Sequence, residues 1–227
     1  LTISLSDEKA LTMENGLADL LDSSSGITSW GRYYTKSVTL YNAEGEKETV
    51  SLVAAADESQ MTEYFTFRTR VGHNPIPFEE DSVILTEKTA LNLELSVGDT
   101  FYVEAADGSR VQLTLTGITE NYMFTRLYLS NAQLQALLGG TPEWNTVYGL
   151  TGCTTEAEYN ALRTKLLGCN YVSSVSFTED TTSMFGSLIG SLNYVVVLII
   201  VCAAALAAVV LYNLCLLYTS PSPRDRG

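Results

Sequence analysis

The chain has 227 residues, of which 46% are hydrophobic and 17% are charged, and its formal net charge at pH 7 is −13. The hydrophobic content excludes a disordered chain, and the length allows one or two compact units that each bury a core. Residues 1–191 carry 11 Lys and Arg against 25 Asp and Glu, a net charge of −14. Such an acidic surface repels nucleic acid, so no nucleic-acid partner is expected.

The first eighty residues are predicted to form a small mixed unit. Acidic residues in the first turn and a following Ser-Ser-Ser-Gly run favour an initial helix, and Tyr, Thr and Val favour the strand after it. The predicted elements are, in chain order, a helix over residues 6–21, a strand over 27–41, a turn at 43–45, a strand over 49–55 and a short helix over 57–64.

Residues 70–82 hold two prolines and three consecutive carboxylates, which is typical of a loop. This loop is expected to separate a first lobe, residues 1–80, from a second lobe, residues 81–180. The order of elements on its two sides predicts an α+β fold with two lobes, followed by a stalk and one transmembrane α-helix. The acidic composition suits an extracytoplasmic domain, held outside the membrane.

The second lobe is more strongly patterned. A hairpin is predicted at Asp107-Gly108, with Leu113 and its neighbours facing Phe101 and Val103 across the strand pair. The predicted elements are a strand over 83–85, a helix from Thr86 to residue 93, strands over 100–105, 110–118 and 126–129, a helix from Ser130 to the glycines at 139–140, a strand over 144–150, a helix from Thr155 to Gly168 and a strand over 171–177.

Two of the four cysteines belong to this lobe. A capping box, Thr155 with Glu158, begins a helix between Cys153 and Cys169, and Gly168 is placed to end it. A straight helix of this length separates the two sulfurs by about 20 Å, whereas a disulfide needs Cα atoms within about 7 Å. Both are therefore predicted to be free thiols.

An uncharged apolar run, residues 194–212, is long enough to cross a membrane. As a helix it spans about 28 Å, close to the ~30 Å hydrocarbon core, with a Tyr at each end at the headgroup level. Residues 181–214 are predicted to form a stalk that continues into this transmembrane helix. A lipid bilayer is therefore an expected partner.

Small residues recur four apart along this segment, as Gly186 with Gly190, Ala203 with Ala207, and Ala204 with Ala208. Small faces allow membrane helices to approach closely. The alternative is that alanine only fills a hydrophobic helix, and the sequence leaves both interpretations open.

Residue patterns for catalysis or cofactor binding are weak. The segment 31–37, GRYYTKS, lacks the second glycine of a phosphate-binding loop and lies in a predicted strand. His73 is interpreted as a solvated loop histidine, and the carboxylates at 79–81 as a solvated loop. The chain is therefore predicted not to be an enzyme and to hold no metal or cofactor.

The last segment, residues 215–227, differs in character from the rest. Residues 215–225 resemble a translated sequencing adapter, so the two arginines that follow the membrane helix are discarded as topology evidence. The chain also begins at Leu1 without a signal-peptide pattern, and it is expected to be a fragment of a longer protein.

Several stretches resemble the extracytoplasmic domain of FtsX-like ABC transporter permeases with a MacB-like periplasmic core. The resemblance extends from residue 82 to residue 214 and is loose before that. The similar motifs are LTEKTALNLELSVGD at 85–99, Gly117-Ile118, TENY at 119–122, LYLS at 127–130, LNY at 192–194 and VLYNL at 210–214. The cytoplasmic stretch that follows the second membrane helix in that family is replaced here by the adapter-like tail.

The resemblance implies a location and a mechanism. Residues 1–190 would lie outside a bacterial cytoplasmic membrane, and the permease would partner an ABC ATPase subunit and either other permease helices or a second permease copy. ATP hydrolysis in the ATPase would move the outer domain, for export or for activation of a partner.

Two other functions compete with this one. A single-pass membrane-anchored binding or sensor module would need no further helices and would tolerate larger residues at Ala203 and Ala207. A membrane-tethered hydrolase would need a nucleophile and base, or a metal set, and the sequence offers neither pattern.

Overall fold

The computed structural model describes residues 1–14, 16–105, 108–121 and 124–219, with the backbone alone for residues 179–191, 217 and 219. It divides into two compact units, Leu1–Ser176 and Phe177–Gly227. The first unit contains every strand and all helices but the last, and the second is a single described helix.

The described elements alternate between strands and short helices. The helices are α1 Lys9–Thr12, α2 Leu17–Ser23, α3 Glu58–Tyr64, α4 Glu87–Asn92, α5 Asn131–Leu138, α6 Glu156–Leu167 and α7 Thr178–Thr219. The strands are β1 Thr2–Leu5, β2 Ile27–Tyr41, β3 Lys47–Ala55, β4 Val83–Thr86, β5 Thr100–Glu104, β6 Arg110–Thr114, β7 Gly117–Thr119, β8 Arg126–Leu129, β9 Thr146–Thr151 and β10 Val172–Ser176.

All ten strands belong to one sheet, in the order β10-β1-β9-β2-β3-β8-β4-β7, with β5 joining β2 and β6 joining β5. Most pairs are antiparallel, and β3 with β8 and β4 with β7 are parallel. This mixed sheet with helices confirms the predicted α+β class.

The sheet does not stop at the predicted lobe boundary. Strand β3 precedes the 70–82 loop and pairs with β8, which follows it, with Leu52 opposite Leu127. In place of two lobes, Leu1–Ser176 is therefore one compact unit. The sequence could not reveal this pairing because it joins residues about 75 positions apart.

Apolar side chains pack on both faces of the sheet, over part of each face. On one face, Leu52 and Phe101 pack with α5 residues such as Leu134, and all three are buried. On the other, Tyr33 and Tyr128 pack beneath α3 and the loop after it. The Tyr33 ring makes edge contacts with Tyr148 at 4.8 Å and Tyr64 at 6.0 Å between centroids, a favourable geometry for aromatic rings.

The predicted helix over residues 6–21 is wrong in its continuity, because α1 ends at Thr12 and α2 begins at Leu17. Met13 has an extended backbone with ψ at 139°, and Gly16 is the N-cap of α2. A side chain at Gly16 would place Cβ 2.7 Å from the carbonyl oxygen of Met13. The chain therefore turns too tightly here for one helix.

The predicted strand over residues 110–118 is divided into β6 and β7. The backbone N–H of Leu115 bonds to Asp99, and that of Thr116 bonds to Val83, so the chain leaves β5 and joins β4 at this point. The predicted hairpin register is confirmed, with Phe101 opposite Leu113 and Val103 opposite Val111. Asp107 lies outside the described residues.

Several helix ends follow their predicted sequence signals, although Thr86 stands at the N-cap of α4 without a side-chain cap hydrogen bond. Ser130 accepts a hydrogen bond from the N–H of Gln133 at the start of α5, and Gly139 ends that helix with φ at 67°. The predicted capping box between Thr155 and Glu158 is confirmed. The prediction of free thiols at Cys153 and Cys169 is confirmed as well.

We expect Phe101→Ala to lower the free energy of unfolding of the first unit by about 3–5 kcal/mol, because the ring is fully buried. Trp fluorescence in a urea titration measures this, since Trp30 and Trp144 both lie in that unit. The control is Thr100→Ala, exposed on the same strand, with an expected change below about 0.5 kcal/mol. Equal losses in both variants would contradict the described core.

We expect Glu158→Gln to reduce the pH dependence of stability. Hydrogen bonds from the backbone N–H groups of Thr154 and Thr155 lower the pKa of Glu158, so its stabilisation is present above its ordinary pKa and is lost as the pH falls through the lowered value. Urea titrations should show a higher free energy of unfolding for the wild type than for Glu158→Gln at pH 7, and the difference should shrink as the pH falls through the lowered pKa of Glu158. Glu156→Gln, in the same first turn, should leave that pH dependence unchanged.

Candidate functional site

The membrane-spanning helix is the first candidate site. Helix α7 has 42 residues and a length of about 63 Å. Its segment Leu192–Leu216 is long and apolar enough to cross a membrane, alone among the described helices. This confirms the predicted C-terminal apolar helix, and residues 181–193 belong to the same helix.

The ends of the span carry exposed aromatic rings. Tyr194 is 80% exposed and Tyr212 is 66% exposed, and the aliphatic side chains between them are exposed as well. Tyr rings favour the membrane interface because they combine an apolar body with a polar tip. The apolar surface is therefore available to lipid or to other helices.

The six small residues named above all belong to α7. Counted at about 100° per residue, they lie within about 140° of the helix circumference. The side-chain surroundings of Gly186 and Gly190 lie outside what the structure describes, and Ala203, Ala204, Ala207 and Ala208 are exposed. Six small residues thus share one side of the helix, which also carries Val196, Val197 and Ile200.

His73 lies in a tight loop rather than in a catalytic arrangement. Its side chain is 62% exposed, its φ is 50°, and its Nδ1 lies 3.7 Å from Oε1 of Glu120. The Arg68 guanidinium pairs with the same carboxylate. The contact with Glu120 was not predicted, because the two residues are 47 positions apart and no local pattern joins them. The exposure confirms the interpretation of His73 as a solvated loop residue.

The two other candidate motifs, residues 31–37 and the carboxylates at 79–81, lie in different elements of the first unit. Residues 31–37 lie within β2, as predicted, where they pair with β3 and β9, and the backbone N–H of Thr35 donates to Oδ1 of Asn145. The carboxylates at 79–81 are exposed, and the N–H of Glu79 donates to the hydroxyl of Ser82. No group of three or more His, Cys, Asp or Glu that could hold a metal is found among the described residues.

The structure contains a groove that the sequence analysis did not predict. It has a volume of about 700 Å³ and lies between the end of α2 and helix α6, with Ser24, Cys153, Glu158 and Lys165 among its lining residues. The Sγ of Cys153 lies 3.9 Å from the carbonyl oxygen of Gly26 in its wall. Burial raises the pKa of the other thiol of this unit, Cys169. No sequence motif marks the groove, because its two walls are about 130 residues apart.

No protein-family profile and no curated protein matches the chain. Among solved structures, the chain is similar to the extracellular domain of the noncanonic ABC-type transporter YknZ from Gram-positive bacteria, with 14% identity over 78% of this chain and 100% of that chain and a TM-score of 0.47. It is also similar to the periplasmic region of MacB from Actinobacillus actinomycetemcomitans, with 13% identity over 82% of this chain and 91% of that chain and a TM-score of 0.47. At this identity and TM-score, the likeness does not by itself assign the chain to a family.

Proposed function

We propose that this chain contains the extracytoplasmic domain and the following membrane helix of an FtsX-like ABC transporter permease. In this proposal residues 1–190 lie outside a bacterial cytoplasmic membrane. An ABC ATPase subunit on the inner side hydrolyses ATP, and the permease carries the resulting motion to the outer domain. The chain itself then performs no covalent chemistry.

The continuity of α7 is the observation that carries this proposal. The helix begins at Thr178, two residues after the last strand, and runs without a break through the apolar span. It contains no proline, so none of its backbone hydrogen bonds is lost to that residue. A displacement at one end of such a helix reaches the other end, which suits a part that transmits motion.

The local geometry of the resembling motifs supports the same proposal. The segment at 85–99 forms the end of β4, helix α4 and a turn in which Gly98 has φ at 99°. The β5–β6 hairpin follows, and Gly117-Ile118 then forms part of β7. The order strand, helix, Gly-Asp turn, hairpin and Gly-Ile step is therefore kept in three dimensions.

The small-residue side of α7 is proposed to pack against other permease helices or a second permease copy. Close approach of backbones gains van der Waals contact, which drives helix association in lipid where the hydrophobic effect is absent. The six residues assigned to this packing are Gly186, Gly190, Ala203, Ala204, Ala207 and Ala208.

The first experiment is to sequence the gene across the codon for Leu214 with adapter sequence removed. We expect the reading frame to continue into a charged stretch and further apolar segments, and an ATPase gene to lie beside it. A frame without further apolar segments would contradict the permease proposal and favour the single-pass binding module.

The second experiment changes the proposed packing side of α7. We expect Ala203→Leu/Ala207→Leu to weaken the assembled permease, because two large side chains separate the helices. A loss of about 1–2 kcal/mol, equivalent to about a five- to thirtyfold weaker complex, is expected. Size-exclusion chromatography of the permease with its ATPase measures this loss.

Ala205→Leu is the matched control, since Ala205 lies at the same depth but outside the 140° arc. We expect it to leave assembly unchanged. If the double variant assembled as well as the control, the packing role would be wrong. If the permease encoded by the complete reading frame formed no complex with its ATPase at all, the transport proposal would be wrong too.

A further inference from the structure

One sheet face of the first unit is uncovered where β2 and β3 run toward their hairpin. Here the odd-numbered side chains point away from the core, and hydroxyl groups sit directly across from one another, Ser37 from Ser51 and Thr39 from Thr49. All four are exposed or half-buried. Their even-numbered neighbours are buried on the opposite side, namely Val38, Leu40, Val50 and Leu52. We name this uncovered surface, with its continuation on β5, β6 and β8, the open face.

Aromatic rings continue the open face onto β5. Tyr41 lies directly opposite Tyr102, and both are half-buried. The Arg110 guanidinium lies 3.8 Å from the centroid of the Tyr41 ring, and the Tyr41 hydroxyl donates to Oε2 of Glu104 at 2.6 Å. These contacts hold the ring and the guanidinium in place before any partner arrives, which lowers the entropy cost of binding.

The charge of the open face is opposite to that of the rest of the unit. It carries Lys47, Arg110 and Arg126 against the single carboxylate of Glu104, a net charge of about +2 on a chain segment of −14. Arg126 lies opposite Ser51, and its guanidinium is 4.9 Å from the ring centroid of Phe124 and 5.5 Å from that of Phe65. Among the described residues, neither Lys47 nor Arg126 has a carboxylate oxygen within 4.0 Å.

We propose that the open face docks an acidic, extended segment of a partner protein. Tyr and Arg are enriched at protein interfaces, and Ser with Tyr provides adaptable hydrogen bonding at low entropy cost. The cations on the face attract carboxylates, and the acidic surface around it repels a segment that is out of register. Five strands lie side by side across the face, in the order β6-β5-β2-β3-β8. They make the face about 19 Å wide, which is enough for an extended peptide.

A protein segment fits better than a nucleic acid. A nucleic-acid duplex carries one negative charge per about 1.7 Å of its axis. The net charge of about +2 on the open face cannot offset the repulsion between that duplex and the acidic first unit. A segment with a few carboxylates among uncharged residues suffers far less repulsion. The inference uses only residues of the first unit and holds whether or not the chain works with an ATPase.

The test measures binding of a fluorescein-labelled peptide, in which a few glutamates are spaced by serine and glycine, to the full chain in phosphatidylcholine nanodiscs by fluorescence anisotropy. We expect saturable binding that weakens as the ionic strength rises to the physiological value. We expect Lys47→Gln/Arg110→Gln/Arg126→Gln to weaken this binding about tenfold or more, since three ion pairs with carboxylates of the probe are lost.

The matched control removes three cations that lie off the open face, Lys36→Gln/Lys88→Gln/Lys165→Gln. Lys36 points to the other side of β2, and the other two lie on α4 and α6. Both triple variants have the same net charge, so only the position of the charges differs. We expect the control to bind nearly as the wild type does.

Arg126 contacts two aromatic rings, and its loss can disturb folding. Lys47→Gln/Arg110→Gln therefore serves as a second variant, with an expected weakening of about threefold and an unchanged urea midpoint. Equal weakening by both triple variants would mean that the probe responds to the net charge of the chain and not to the open face, and it would overturn the proposal. Binding of polygalacturonate without binding of the glutamate-containing peptide would assign the face to an anionic polysaccharide and overturn the proposal as well.

Discussion

The pairing of β2 with three different strands is the constraint on which the first unit depends. Its first half pairs with β9, its second half with β3, and its last residues with β5. At 15 residues it is about three times as long as an average strand. Because β3 then pairs with β8, segments before and after the 70–82 loop share one hydrogen-bonded sheet. The core on each face is possible only because this strand is unbroken.

A second constraint is the continuity of helix α7 from its polar start into the apolar span. Helix α7 follows β10 almost directly, and its backbone stays helical from the polar stalk into the apolar span. Every residue inside it satisfies its backbone groups within the helix, which is a requirement in lipid and an advantage for rigidity. The same feature that makes the segment stable in a bilayer therefore makes it suitable for transmitting movement.

Charge acts differently at the two scales. The net charge of −13 describes the chain's long-range field and disfavours nucleic acid. The local field follows from which side chains share a face, and strand register alone places Arg126 beside Ser51 and Tyr41 beside Tyr102. Composition therefore predicts what the unit repels, whereas the sheet decides what one surface attracts.

Local signals determined much of this protein. The caps at Ser130 and Thr155 follow from residue type and spacing, because hydrogen bonds within a few residues enforce them. The bounds of β2 and β8 and the membrane span follow from the pattern of side-chain types along the chain. The tertiary structure decided the break at Gly16, the single sheet, the contact of His73 with Glu120 and the open face. Each of these depends on contacts between distant segments, and their energies are not encoded in any local pattern.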